Sequence, residues 1–209
     1  MDGRADNLVA SGQQAMTPFD DIYDQPDPRA YFRALAAYEY RTPHHAQRIF
    51  RRAVAARRAR TADPTVLDIC CSYGINAALL NYDLTLNDLY AHYLSPQAAA
   101  LTTAEPIDWD RVFYTAHRRP DAVPILGLDI AANAFAYARA VGLLNEGFTE
   151  NLETSAPIAA LLEAIRRTQL ITITGGPSFL SASTFHPLLP RARSRRATST
   201  PHYTCPVRR

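Results

Sequence analysis

The chain has 209 residues, 47% of them hydrophobic, with 22 basic and 20 acidic side chains and a net charge of +2. That supports one hydrophobic core with extensions, and no uninterrupted apolar run approaches the ~18 residues of a membrane span, so a membrane partner is not expected. The three cysteines, Cys70, Cys71 and Cys205, suit neither a disulfide framework nor a zinc site, and residues 1–6 lack the basic start of a secretory signal; a reduced, cytoplasmic chain follows.

No lysine occurs, so every basic residue is arginine, and a Walker-type phosphate loop is excluded for want of its lysine. The absence of a Gly-x-Ser-x-Gly elbow argues against a serine hydrolase. His44 and His45 are adjacent, which is not a helical metal-ligand spacing, and no metal site is expected.

Residues 1–20 are polar and aperiodic and read as a disordered leader. N-terminal helices are expected over 21–62. Asp27 and Pro28 open the first, with Tyr31, Leu35 and Tyr38 on one face, and Thr42 and Pro43 open the second, which runs through Ile49 and Val54 to about Arg60. The arginines Arg51, Arg52, Arg57, Arg58 and Arg60 recur around the whole circumference and read as a solvated face rather than a phosphate site. Tyr23, Tyr31, Tyr40 and His44 can cover a ligand or simply pack, and packing is favoured.

Residues 65–69 form an apolar, β-rich run carrying an acid, Asp68, and are followed by the small-residue turn 70–74 and a helix from Ile75. Some forty residues then intervene. This insertion, at about 82–121, contains an amphipathic helix over 84–94 that Thr85 or Asn87 can cap and a polar stretch around 106–121. It is a candidate lid in which Tyr90, His92, Tyr93 and Trp109 contact a substrate or merely anchor the segment, and anchoring is favoured.

The same grammar recurs at 123–129, an apolar run ending in Asp129, followed by the Ala-rich helix 130–141 and a stop at Gly142. A short strand near 146–153, a helix over 157–167 with Ile158, Leu161, Leu162 and Ile165 on one face, and a strand over 170–174 complete the foldable text. The last twenty residues, 190–209, hold six arginines and no acid and read as a basic disordered tail, with truncation or a shifted frame preferred over a selected nucleic-acid tail.

Two strands that each close on an acid and feed a helix are what a nucleotide-binding α/β sheet presents at its strand tips. The chain thereby resembles the class I S-adenosylmethionine (SAM) dependent methyltransferases, over roughly residues 64–185. Their first motif (acid, any, Gly, any, Gly, any, Gly) falls on residues 68–74, where Cys70 and Ser72 replace two glycines and Gly74 alone survives. The resemblance implies a Rossmann-like three-layer α/β/α fold with a mostly parallel sheet, incomplete at about four strands, in a SAM-binding domain over 63–189. It implies further that Asp68 and the loop Cys70, Ser72, Tyr73 and Gly74 hold the amino-acid end of SAM. Asp129 would accept from the ribose hydroxyls, with Ile130 beside it. Asn151 and Leu152 would flank the adenine, and Thr174 and Gly175 would border the transfer point.

Methyl transfer from a sulfonium needs chiefly in-line placement, so no catalytic residue is assigned, and Ser178 and His186 receive no role. The methyl acceptor is undefined and nucleic acid is only weakly supported. Two alternatives stand: a catalytically silent SAM-binding or interaction fragment, and an NAD(P)-binding oxidoreductase, disfavoured because Asp129 lies about sixty residues beyond Asp68 instead of about twenty.

Overall fold

A computed structural model describes residues 20–102 and 105–189. The leader over 1–19 and the tail over 190–209, with Cys205, lie outside the described residues. The helices α1 (Asp20–Tyr23), α2 (Arg29–Ala36) and α3 (Thr42–Arg58) precede the first strand, β1 (Thr65–Ile69). Then come α4 (Ile75–Asn81), α5 (Leu86–Tyr93), α6 (Pro96–Ala100), α7 (Pro106–His117), β2 (Ile125–Leu128) and α8 (Ala132–Ala140). The chain continues through β3 (Glu146–Phe148), α9 (Ala159–Arg166), β4 (Thr168–Ile173), a 3-10 turn at Pro177–Phe179, and α10 (Ala182–Leu188).

The four strands form one parallel sheet in the order β3-β2-β1-β4. Strand β1 is central because it is buried on both faces, which is what its continuous apolar text demands. Side chains nonetheless alternate. Val66 and Ile125 enter one core with α2, α4, α5 and α8, whereas Leu67, Ile69, Leu126 and Leu128 enter a second with Leu161 and Ala164 of α9 and Leu188 of α10. The fold is therefore a four-stranded, Rossmann-like α/β arrangement with helices on both faces. No helix of the described residues is long and apolar enough to cross a membrane.

The two cores explain the strand order. Right-handed crossovers moving outward from β1 to β2 to β3 put α4 and α8 on one face; the reversal to β4 puts α9 on the other. The strand tips of β1 and β4 thus diverge from opposite-going connections, which is the topological switch point of a doubly wound sheet.

Several elements differ from expectation. The polar stretch at 106–121 is largely helix α7, which Pro106 opens and whose buried Asp110 and Tyr114 face inward while Val112 is exposed. Residues 82–121 do not project as a lid: Leu86, Leu89, Tyr93 and Tyr114 belong to the first core. Thr85, not Asn87, caps α5, in a reciprocal capping box with Asp88. Helix α8 starts two residues later than expected because Asp129 accepts from the Ala131 amide and turns the chain first. Ile158 and Leu162 are exposed, so only Leu161 and Ala164 of α9 are fully buried. Helix α10 had no counterpart in the sequence reading.

Buried aromatics fasten the insertion. Phe32 of α2 stacks on Tyr93 with ring centroids 4.5 Å apart and meets Tyr90 edge-on at 5.2 Å. His92 lies between Trp109 and Phe113, each 3.7 Å away and nearly parallel. Its Nε2 is 2.6 Å from Oδ1 of Asp110, which is fully buried, and Tyr137 donates to the other carboxylate oxygen. The hydroxyl of Tyr93 is 2.8 Å from those of both Tyr114 and Tyr137. These contacts join α5, α7 and α8 in one satisfied polar network.

Candidate functional site at the switch point

At the tip of β1 the chain turns through three left-handed residues, Cys70 at φ 54°, Ser72 at φ 44° and Gly74 at φ 77°. These are the positions at which the resembling motif carries glycine. The backbone keeps the conformation that glycine adopts freely although two of the three side chains are present. The Cys71 carbonyl accepts from the Gly74 amide at 2.8 Å, and Gly74 precedes the first turn of α4. Gly74→Ala is expected to destabilise the protein by about 1–2 kcal/mol in chemical denaturation. A Cβ there is left-handed and would sit 3.2 Å from Leu143 and 3.3 Å from Ala138, both buried.

The neighbouring strand tip holds the loop in place. Asp129 accepts from the Ser72 amide through Oδ2 at 2.7 Å and from the Ala131 amide through Oδ1 at 2.9 Å. Burial raises its carboxyl above the usual range, and the amides of Ala131, Ser72 and Ile130 pull it back. Asp129 thus braces the loop after β1. Both carboxylate oxygens already have a backbone donor, which leaves lone pairs rather than whole oxygens for a ligand.

Asp68 does not reach the surface. Its Oδ1 accepts from Asn76 Nδ2 at 2.9 Å and from Thr172 Oγ1 at 2.8 Å, while Oδ2 is buried with no partner. Desolvation, opposed by those two hydrogen bonds, pushes its carboxyl up to about 7. Asn76 in turn accepts from the Thr174 hydroxyl at 3.2 Å, so one polar chain ties β1, α4 and the end of β4. Ser72 Oγ is a second buried oxygen with no partner. Two orphan oxygens, one in β1 and one in the loop after it, are the kind of exception that a ligand or ordered water resolves.

The other wall is the turn after β4. Gly175 is left-handed at φ 32°, and a Cβ on it would lie 3.0 Å from the Tyr40 hydroxyl. A Cβ on Gly176 would lie 2.3 Å from Cys70 Sγ, so the Cys70 side chain fills the gap between the two loops. Burial raises the Cys70 thiol to about 12 and Cys71 well above its usual value. Burial thus favours the neutral thiol at both positions.

The remaining site residues read from the sequence lie apart from these strand tips or turn away from them. Tyr73 is fully buried, its hydroxyl donating to the Ile22 carbonyl at 2.9 Å and accepting from the Gln25 amide at 2.8 Å; it secures the N-terminal segment and only its backbone belongs to the loop. Leu152 is buried in the second core, and Asn151 spends its side-chain oxygen on the Glu153 amide. Ile130 is exposed. Of the N-terminal tyrosines, Tyr31 is buried against Tyr73 and only Tyr40 reaches a strand tip. Asn76 and Thr172 were missed, although an asparagine in the wholly buried helix α4 and a threonine between Ile171 and Ile173 are detectable breaks in apolar text. No group of three or more His, Cys, Asp or Glu side chains among the described residues is placed to hold a metal ion. Two surface hollows lie elsewhere, one beside His92 and His117 and one beside Arg58.

Comparison with known proteins adds no identification: the chain matches no protein-family model, no curated protein and no solved structure.

Proposed function

We propose that the crevice between the tips of β1 and β4 binds S-adenosylmethionine and that the chain is a SAM-dependent methyltransferase. The observation that carries this reading is the left-handed run at residues 70, 72 and 74, set between Asp68 and Asp129 at the switch point of a parallel sheet. The orphan Ser72 Oγ in that loop supports it, while Asp68, which does not reach the surface, holds Asn76 and Thr172 behind the loop. A bound SAM supplies a methyl group already activated as a sulfonium. The chain's part is then to orient: Asp129 toward a sugar hydroxyl, the Cys71 and Tyr73 amides, the two of the loop not spent on Leu128, Asp129 or Cys71, toward the carboxylate end, and Thr174 and Gly175 beside the acceptor's approach.

A second reading, a silent SAM-binding fragment, is favoured by one feature, the Cys70 side chain lodged against Gly176. It narrows the place that a carboxypropyl chain would cross.

Calorimetry on the folded chain with SAM and with NADH tests the proposal. Heat with SAM and none with NADH is expected, and Cys70→Gly is expected to tighten SAM about tenfold by clearing the crevice and relieving a left-handed residue. The absence of SAM binding to both wild type and Cys70→Gly would defeat the cofactor assignment. Binding without transfer to any of a panel of small-molecule, lipid, protein and nucleic-acid acceptors would leave the silent fragment.

A further inference from the structure

At the end of the sheet opposite the switch point, three arginines from two distant segments meet. Arg51 and Arg58 lie two turns apart on α3, on the same face as Val54 and Ala55, and Arg119 follows α7. With Leu80, Asn81, Asp121 and Val123 they enclose a hollow of about 290 Å³. Val54, Leu80 and Val123 are buried and form an apolar floor beneath a charged rim.

The rim is unbalanced. Arg119 pairs with Asp121 at 2.9 Å, Arg58 stands 3.7 Å from the same carboxylate, and Asp83 acts on Arg51 and Arg119 from outside the lining, so three guanidinium groups face two acids and one positive charge is left over. Arg51 spends Nε and Nη2 on the carbonyls of Leu79 and Tyr82, which fixes its plane but leaves its other amino group uncommitted. Burial and then the neighbouring Arg119 lower the Arg51 guanidinium from its usual value, a sign of cations held together. Arg58 Nε is buried and has no acceptor. Arg58 lines the hollow and donates through Nη2 to the Asp121 carbonyl, yet keeps this one N–H without an acceptor, and buried N–H groups are ordinarily paired.

From this geometry we infer that the hollow is a binding site for a small phosphomonoester. A phosphomonoester is anionic at neutral pH and suits a rim with a positive surplus, and planar guanidinium forks suit its oxygens. The apolar floor receives the organic part of the ester, so inorganic phosphate alone uses only the rim. The site is independent of the cofactor reading, because it lies beyond the opposite ends of the strands.

The test is calorimetric titration of the full chain with phenyl phosphate and with inorganic phosphate at constant ionic strength, alongside Arg58→Gln and Asp121→Asn, with circular dichroism reporting the fold. Saturable binding of phenyl phosphate is expected, about fivefold tighter than inorganic phosphate through the apolar floor. Arg58→Gln is expected to weaken it about tenfold or more, and Asp121→Asn to tighten it about threefold by removing the carboxylate that lines the hollow. The gain in Asp121→Asn is an effect that a damaged fold does not produce. No saturable heat with phenyl phosphate on folded protein, equal affinity for the two phosphates, or wild-type affinity in both variants would each overturn the assignment.

Discussion

Asp68→Asn is expected to stabilise the protein by about 4 kcal/mol at about pH 9 and to leave it nearly unchanged at about pH 4. The carboxyl titrates near 7 in the folded chain against 3.8 for its ordinary value, because burial disfavours the anion more than Asn76 and Thr172 favour it. Below the ordinary value both states hold the proton and the group costs nothing. As pH rises toward 7 the folded state retains a proton that the unfolded state has shed, so stability falls across that window and the loss is complete once the folded group ionises. Asparagine keeps the acceptor used by Asn76 and Thr172 and removes the titration. Urea denaturation of both proteins across the range checks the sign: a difference that does not grow with pH would mean that Asp68 is solvated or paired in solution.

Asp110→Ala is expected to destabilise by about 3–5 kcal/mol, since it removes a fully buried carboxyl from His92 and Tyr137 and leaves Tyr137 with the Tyr93 hydroxyl alone. His92 is closed in by Trp109 and Phe113, and Tyr137 is buried beside Tyr93 and Tyr114. Tyr137→Phe is the graded control, expected to cost about 1–2 kcal/mol because Asp110 keeps its histidine. Thermal and chemical denaturation measure both. A loss below about 1 kcal/mol for Asp110→Ala would show that water replaces the carboxylate, contrary to the dry packing of the insertion.

What the sequence made legible was whatever depends on short-range pattern. The strand at 65–69, the helix after Gly74, the Ala-rich helix after Asp129 and the parallel sheet follow from apolar runs, acids at strand tips and a glycine stop. The left-handed backbone at Cys70 and Ser72 could not be read from side chains that disfavour it; only the likeness to a glycine motif hinted at it. Helix α7 was hidden because its inward face carries Asp110 and Tyr114 rather than aliphatic residues, so its period looks polar. The switch-point chemistry was half visible: Asp129 could be picked out, but its donors and the Asp68, Asn76 and Thr172 set depend on pairings across many residues. For the same reason the helix-wide scatter of arginines on α3 gave no clue that Arg51 and Arg58 meet Arg119.

The central strand also dictates an order of events during synthesis. β1 emerges early, yet neither of its flanks can be occupied until β2 and β4 exist, and Thr172 reaches back 104 positions to Asp68. Asp24 likewise waits 109 positions for the Asn133 amide. Such long closures are entropically slow, so a nascent chain of this design keeps one edge of its central strand unpaired until β4 is made and is at greatest risk of aggregation before residue 173 appears.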